Sequence, residues 1–221
     1  MKYVFLSIEG NIGSGKSTLL KLLRETCTDY VFVDEPVDIW QSLKDEQGND
    51  LLQLFYQDKN RWAYTLQNTA FITRYQNAKS ALDSCSKNQG EGEDDNKVKV
   101  IISERSMLTD RFVFAEMLKA DKFITPIEWD VYSFWYNLFS NYIPVTALIY
   151  ITTQSNVCDQ RIKIRGRKGE ENISCEYLDE LSIYHDRWID STTLPVLRLT
   201  NNSLEDVEKI KEFVNNLSSQ V

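Results

Sequence analysis

Histidine is nearly missing from this chain: His185 is the only one among 221 residues. It falls on a probable helix and reads as a helix-face residue before it reads as a catalytic one. Cysteine is sparse, and Cys27, Cys85, Cys158 and Cys175 show neither CxxC spacing nor a neighbouring histidine. That argues against a zinc or redox pair and leaves reduced, structural thiols in a reducing compartment. Basic residues are outnumbered, 25 Lys and Arg against 33 Asp and Glu, for a net charge of −8. Nucleic acid and anionic membrane surfaces need clustered Lys and Arg, so neither is an expected partner, and a small molecule is. No apolar run reaches the roughly 18 residues of a membrane helix. Residues 1–8 already read as a strand, which leaves no signal or transit peptide and points to a cytoplasmic location.

What is present is a phosphate-binding loop. Gly10-Asn11-Ile12-Gly13-Ser14-Gly15-Lys16-Ser17, followed by Thr18, fits G-x-x-x-x-G-K-[ST] in full. Residues 3–8 before it read as a buried strand, and residues 18–23 after it as a helix. Glycines let backbone N–H groups approach phosphate oxygens, and the helix N-terminus adds partial positive charge. Lys16 is expected at the β- and γ-phosphates and Ser17 at Mg²⁺.

Further strand-like runs fall at residues 31–33, 98–102, 147–151 and 195–199. Helical patterns fill roughly 51–84, 105–119, 126–141, 154–165, 174–190 and 204–217. Strand–helix alternation in a chain of this length predicts one α/β domain over residues 1–221, with a parallel sheet covered on both faces. The polar, acidic stretch 84–97 reads as a flexible loop.

Several polar residues fall where strands end, which in a parallel sheet is the ligand side. Glu35 follows the second strand, and Pro36 fixes the turn; it is either a base for an attacking hydroxyl or a solvated turn acid. Glu104 and Arg105 close the third strand. The acid suits Mg²⁺ or its waters and the arginine a phosphate or substrate oxygen, while a surface pair is the other reading. Arg161, Arg165 and Arg167 gather at a helix end, either as a lid on transferring phosphate or as a solvated basic face. Residues 54–74 are aromatic and helical, usually a mark of core. Tyr56, Gln67 and Arg74 on the same element would also suit a planar, hydrogen-bonding ligand.

Together, GNIGSGKST, EPVDIW, LFYQ…RW…Q, ERSMLTDRFVFA and RIKIRGR…EE…EYL resemble the deoxynucleoside kinase family from residue 3 to about residue 200. The resemblance implies a three-layer P-loop kinase fold with a five-stranded parallel sheet and an Arg-rich lid at about 161–173. It implies a homodimer, and ATP-dependent phosphorylation of a deoxynucleoside 5′-hydroxyl. Carried over, Glu35 is the general base, Arg105 its partner at that oxygen, and Glu104 the magnesium-side acid. Tyr56 and Glu170 contact the sugar 3′-hydroxyl, and Gln67 reads the base edge. Ile12, Val37, Trp40, Phe55 and Phe114 wall the pocket. Leu66 departs from an aromatic found in several relatives.

Ala70, Arg74 and Asp110 match the trio of the deoxycytidine and deoxyguanosine kinases within that resemblance. An Arg–Asp pair can serve an amino- or N7-bearing base edge and fills the room of a thymine methyl. Purine deoxynucleosides are expected, deoxyadenosine first and deoxyguanosine next, with deoxycytidine possible and thymidine poor. A nucleoside monophosphate kinase of the thymidylate kinase type and a non-catalytic nucleotide switch stand as alternatives.

Overall fold

The computed structural model describes residues 2–87, 98–200 and 203–220. The first apolar run forms β1 (Tyr3–Gly10), buried throughout after Tyr3. It leads through the phosphate loop into α1 (Lys16–Thr26) and then β2 (Val31–Val33). Four helices follow: α2 (Val37–Ser42), α3 (Leu51–Gln57), α4 (Lys59–Lys87) and, after β3 (Lys99–Glu104), the single turn α5 (Met107–Thr109). A π-helical turn, Asp110–Phe114, connects to α6 (Ala115–Ala120) and α7 (Pro126–Ser140). Then come β4 (Ala147–Ile151), α8 (Ser155–Arg165), a 3₁₀ turn at Glu170–Asn172, α9 (Cys175–Ser191), β5 (Val196–Leu199) and α10 (Leu204–Ser218).

The sheet has five strands in the order β2-β3-β1-β4-β5, and every pairing is parallel. Alternation along β1 sends Phe5 to one face, among Ile101, Phe71 and Tyr132. Val4, Leu6 and Ile8 go to the other, against Leu19, Leu20 and Leu23 of α1 and Val207, Ile210 and Val214 of α10. With both faces covered, the strands are mostly apolar, which is why they read as near-continuous runs. From central β1 the chain moves to β2 and β3 on one side and to β4 and β5 on the other. That reversal opens a crevice beyond the strands' carboxyl ends. Register puts Ile8 opposite Glu104 and Gly10 opposite Ile151, so the phosphate loop and the end of β3 share that crevice.

Three local differences separate structure from sequence pattern. The helical stretch 51–84 breaks at Asp58, which leaves helical geometry, closes α3 and accepts at Oδ1 from the Arg61 N–H to start α4. Tyr56 therefore stands on α3, while Gln67 and Arg74 stand on α4. The turn after Glu35 winds into α2. The proposed loop at 84–97 begins late: residues 84–87 complete α4, and residues 88–97 lie outside the described residues.

Candidate active site

The phosphate loop owes part of its glycine content to crowding. A Cβ on Gly10 would stand 2.6 Å from the Ile151 carbonyl oxygen, and one on Gly13 would stand 2.7 Å from that of Cys158. Gly13 and Gly15 also hold positive φ, 77° and 101°, which L side chains rarely adopt. Lys16 Nζ donates to the Gly10 and Asn11 carbonyl oxygens at 3.2 and 2.7 Å. Burial, reinforced by Arg105, pushes its ammonium down to about 7, although Glu104, Glu35 and Glu9 oppose the shift. Ser17 Oγ donates to Glu104 Oε1 at 2.9 Å, so a hydroxyl and a carboxylate stand side by side at the loop's mouth. Arg161 reaches over from α8, its Nη1 donating to the Ser14 carbonyl oxygen at 3.1 Å.

Glu35 leaves β2 facing two arginines. Arg74 Nη2 donates to its Oε1 at 2.8 Å, and Arg105 Nε stands 3.3 Å from the same oxygen. Burial alone would raise this carboxyl, but Arg74, Arg105 and Lys16 together outweigh it and hold Glu35 at about 2. Arg74 is shared: its Nε also faces both oxygens of buried Asp110, at 3.1 and 3.0 Å. Arg105 has a left-handed backbone, φ 63°, unusual for a residue with a Cβ. Its neighbours are fixed by Glu9, a wholly buried carboxylate in β1 that accepts from the hydroxyls of Ser7, Ser106 and Thr109. Neither Glu9 nor its partners were singled out from sequence. An acid closing an apolar strand was the available signal, the same one that marks Glu104.

These groups meet a cavity of about 410 Å³. Its phosphate end is lined by Ile12, Gly13, Gly15, Lys16, Ser17, Thr18 and Glu104. Glu35, Arg74, Arg105 and Asp110 stand at the middle, and Trp40, Phe55, Tyr56, Gln67, Ala70 and Phe114 along the wall. Arg161, Arg165, Arg167 and Glu170 close one side. Within that side, Arg165 Nη2 donates to Glu170 Oε2 at 2.6 Å and Arg167 Nη1 to Oε1 at 2.9 Å. Burial, with Glu170 and Glu35 nearby, raises the Tyr56 phenol, which therefore keeps its proton.

Three expected residues do not line the cavity. The Asn11 side chain turns away to donate to the Leu178 carbonyl oxygen at 2.7 Å, stitching the loop to α9. Ser14 Oγ is buried under the loop, and Val37 packs into the core beside β2. Three lining residues were not among the expected contacts: Leu52, Leu66 and Tyr177. Leu66 takes the place the resemblance reserves for an aromatic, and Tyr177 lies in the EYL motif. Gln67 Oε1, Arg74 Nη1 and Tyr177 Oη are buried polar atoms without a partner among the described residues. All three belong to cavity-lining side chains, and such atoms are costly unless something completes them.

A phosphate loop, a carboxylate held by two arginines and an aromatic wall in one crevice define a phosphotransferase acting on a small flat molecule. The deoxynucleoside kinase family model matches residues 6–221, and the chain belongs to that family. It is similar to Homo sapiens deoxycytidine kinase, 33% identical over 96% of this chain and 91% of that protein. Deoxycytidine kinase 2 of Gallus gallus is 35% identical over 94% of this chain and 78% of its own length. Mitochondrial deoxyguanosine kinase of Xenopus laevis is 31% identical over 98% of this chain and 87% of its own.

Proposed function

We propose that the chain transfers the γ-phosphoryl group of ATP to the 5′-hydroxyl of a deoxynucleoside. The arrangement of Glu35 carries this reading: an ionised carboxylate lies between the phosphate loop and the aromatic wall, where a hydroxyl on a wall-bound ligand would meet a loop-bound phosphate. Glu35 accepts the hydroxyl's proton as the new P–O bond forms. Arg105 steadies the same oxygen, and Lys16 with the loop backbone holds the triphosphate. Arg161, Arg165 and Arg167, in a lid over about 161–173 of a single domain, spread the charge that develops on the transferring group. Tyr56 and Glu170 hold the sugar 3′-hydroxyl.

The Ser17 hydroxyl beside the Glu104 carboxylate fits Mg²⁺, which takes few protein ligands and otherwise binds waters and phosphate oxygens. When bound, the ion would neutralise phosphate charge.

At the base, the partnerless Gln67 carbonyl and Arg74 Nη1 offer an acceptor beside a donor. That pairing suits amino- and N7-bearing edges, and Leu66 in place of an aromatic leaves width for a bicyclic base. We infer purine deoxynucleosides, deoxyadenosine first and deoxyguanosine next, with deoxycytidine accepted and thymidine poor. The relatives are named deoxycytidine and deoxyguanosine kinases, which fits deoxyguanosine and deoxycytidine as substrates; the place of deoxyadenosine rests on the pocket alone. A phosphorylated acceptor fits less well: Glu35 and Asp110 already balance Arg74 and Arg105, so no surplus cation serves a second phosphate there.

Two copies are proposed to pair through α4 and α7, where Ile72, Ile127, Phe134 and Leu138 are exposed. Four free cysteines suit a reducing cytoplasm.

The test is ADP release with ATP and Mg²⁺ across deoxyadenosine, deoxyguanosine, deoxycytidine, thymidine and dTMP. Turnover with the purines above thymidine supports the reading. Highest kcat/KM with thymidine would overturn the base assignment, and turnover with dTMP alone would overturn the role of Glu35.

A further inference from the structure

The chain's one histidine is wholly buried on α9, outside the cavity lining, with both ring nitrogens engaged. His185 Nδ1 stands 2.8 Å from the Leu181 carbonyl oxygen. A carbonyl oxygen can only accept, so Nδ1 carries the proton. Nε2 stands 3.3 Å from Arg105 Nη1, and a guanidinium can only donate. One species satisfies both contacts: a neutral imidazole protonated on Nδ1, with its Nε2 lone pair toward Arg105. Burial and the charge of Arg105 both hold the ring well below the usual histidine range, in keeping with that species. The ring is clamped as well, stacked on Tyr150 at an interplanar angle of 15° and met edge-on by Phe114.

Arg105 needs such help. Its left-handed backbone fixes where the side chain starts but not where the guanidinium ends. The guanidinium lies over the Phe114 ring, has Glu35 on one side through Nε and has His185 on the other through Nη1. We propose that His185 is a positioning residue for phosphoryl transfer, its neutral imidazole accepting from Arg105 Nη1 and so aiming the guanidinium at Glu35 and the attacking oxygen. The inference rests on the role given above to Arg105.

The experiment is a double-mutant cycle read by single-turnover rate and nucleoside Kd, using His185→Phe, Arg105→Ala and their combination, with His185→Gln alongside. Phe keeps a ring and removes the acceptor. Losing one hydrogen bond to a charged group predicts a rate about 10- to 100-fold lower, with Kd changed less than about threefold. Gln can put an amide oxygen near the Nε2 position, and its rate is expected within about fivefold of wild type. In the Arg105→Ala background, His185→Phe should cost less than about twofold, because its effect runs through the missing arginine. If His185→Phe fails to fold, His185→Asn replaces it, since the shorter amide cannot reach Arg105. An equal loss in both backgrounds would mean that His185 acts by packing alone and would overturn the proposal, as would an unchanged rate in His185→Phe. A near wild-type rate in Arg105→Ala would overturn the role of Arg105 and this inference with it.

Discussion

At the scale of residues, the site is a chain of buried charges in which each group sets its neighbour's state. Asp110 and Glu35 divide the donors of Arg74, so removing one partner leaves a buried charge uncompensated, at a cost of about 3–5 kcal/mol. Removing Arg74 and Asp110 together avoids most of that. We predict that Arg74→Leu with Asp110→Ala folds better than Arg74→Leu alone and raises the thymidine-to-deoxyadenosine ratio of kcat/KM at least about tenfold, in the range a reshaped base pocket can give. An unchanged ratio would remove the pair from base selection. His185 supplies a second prediction. Its folded value lies well below the roughly 6.5 of an unfolded histidine. The stability that comes from keeping it neutral is therefore present above pH 6.5 and lost as pH falls below, by about 1.4 kcal/mol per unit until the folded value is reached. Wild type should lose more melting temperature between pH 7.5 and 5.5 than His185→Gln does. Equal losses would contradict a buried neutral ring. Glu35, Glu104 and Arg105 were legible in the sequence because they sit at strand ends. The contact of His185 with Arg105 was not, because the two lie 80 positions apart and nothing local records it.

At the scale of elements, the C-terminal end of α8 and the 3₁₀ turn form a unit. Arg165 and Arg167 grip Glu170, and Arg161 rests on the phosphate loop, so the side proposed to meet the donor is tied to the side proposed to meet the sugar. Arg165→Ala is expected to lower kcat by about 10²–10³-fold, as loss of one preorganised charge stabiliser does, with nucleoside KM changed little. A rise in nucleoside KM with kcat unchanged would mean that Arg165 serves only to hold Glu170 and takes no part in stabilising the transferring group. The strands read from apolar runs agree with the structure to within two residues, because a doubly covered parallel sheet keeps most strand positions apolar. The helices were less legible. Asp58 breaks one amphipathic stretch into α3 and α4 by capping, a signal that a single aspartate among helix formers gives weakly. The π-helical turn that carries Asp110 and Phe114 leaves no local pattern at all.

At the scale of the whole molecule, one face stands apart. Ile127, Val131, Phe134, Trp135 and Leu138 recur at helical spacing on the outer side of α7, and Phe134 is 64% exposed. A contiguous apolar stripe of this kind suits the proposed pairing of two copies. Phe134→Glu should convert a dimer to a monomer in light scattering while the fold persists, and a wild-type chain that is already monomeric would contradict the proposed pairing. The sequence suggested a dimer only through family resemblance, since a helix apolar on two faces looks the same whether the second face meets core or a partner.

The proposed transfer depends above all on Glu35 receiving the proton of the attacking hydroxyl. Its most direct test is the single-turnover rate of Glu35→Gln, measured with saturating ATP and Mg²⁺ beside the nucleoside Kd. Gln keeps the shape and loses the charge. The account predicts a rate about 10²–10⁴-fold lower, the range of a general base, with nucleoside binding retained. A rate near that of wild type would contradict it.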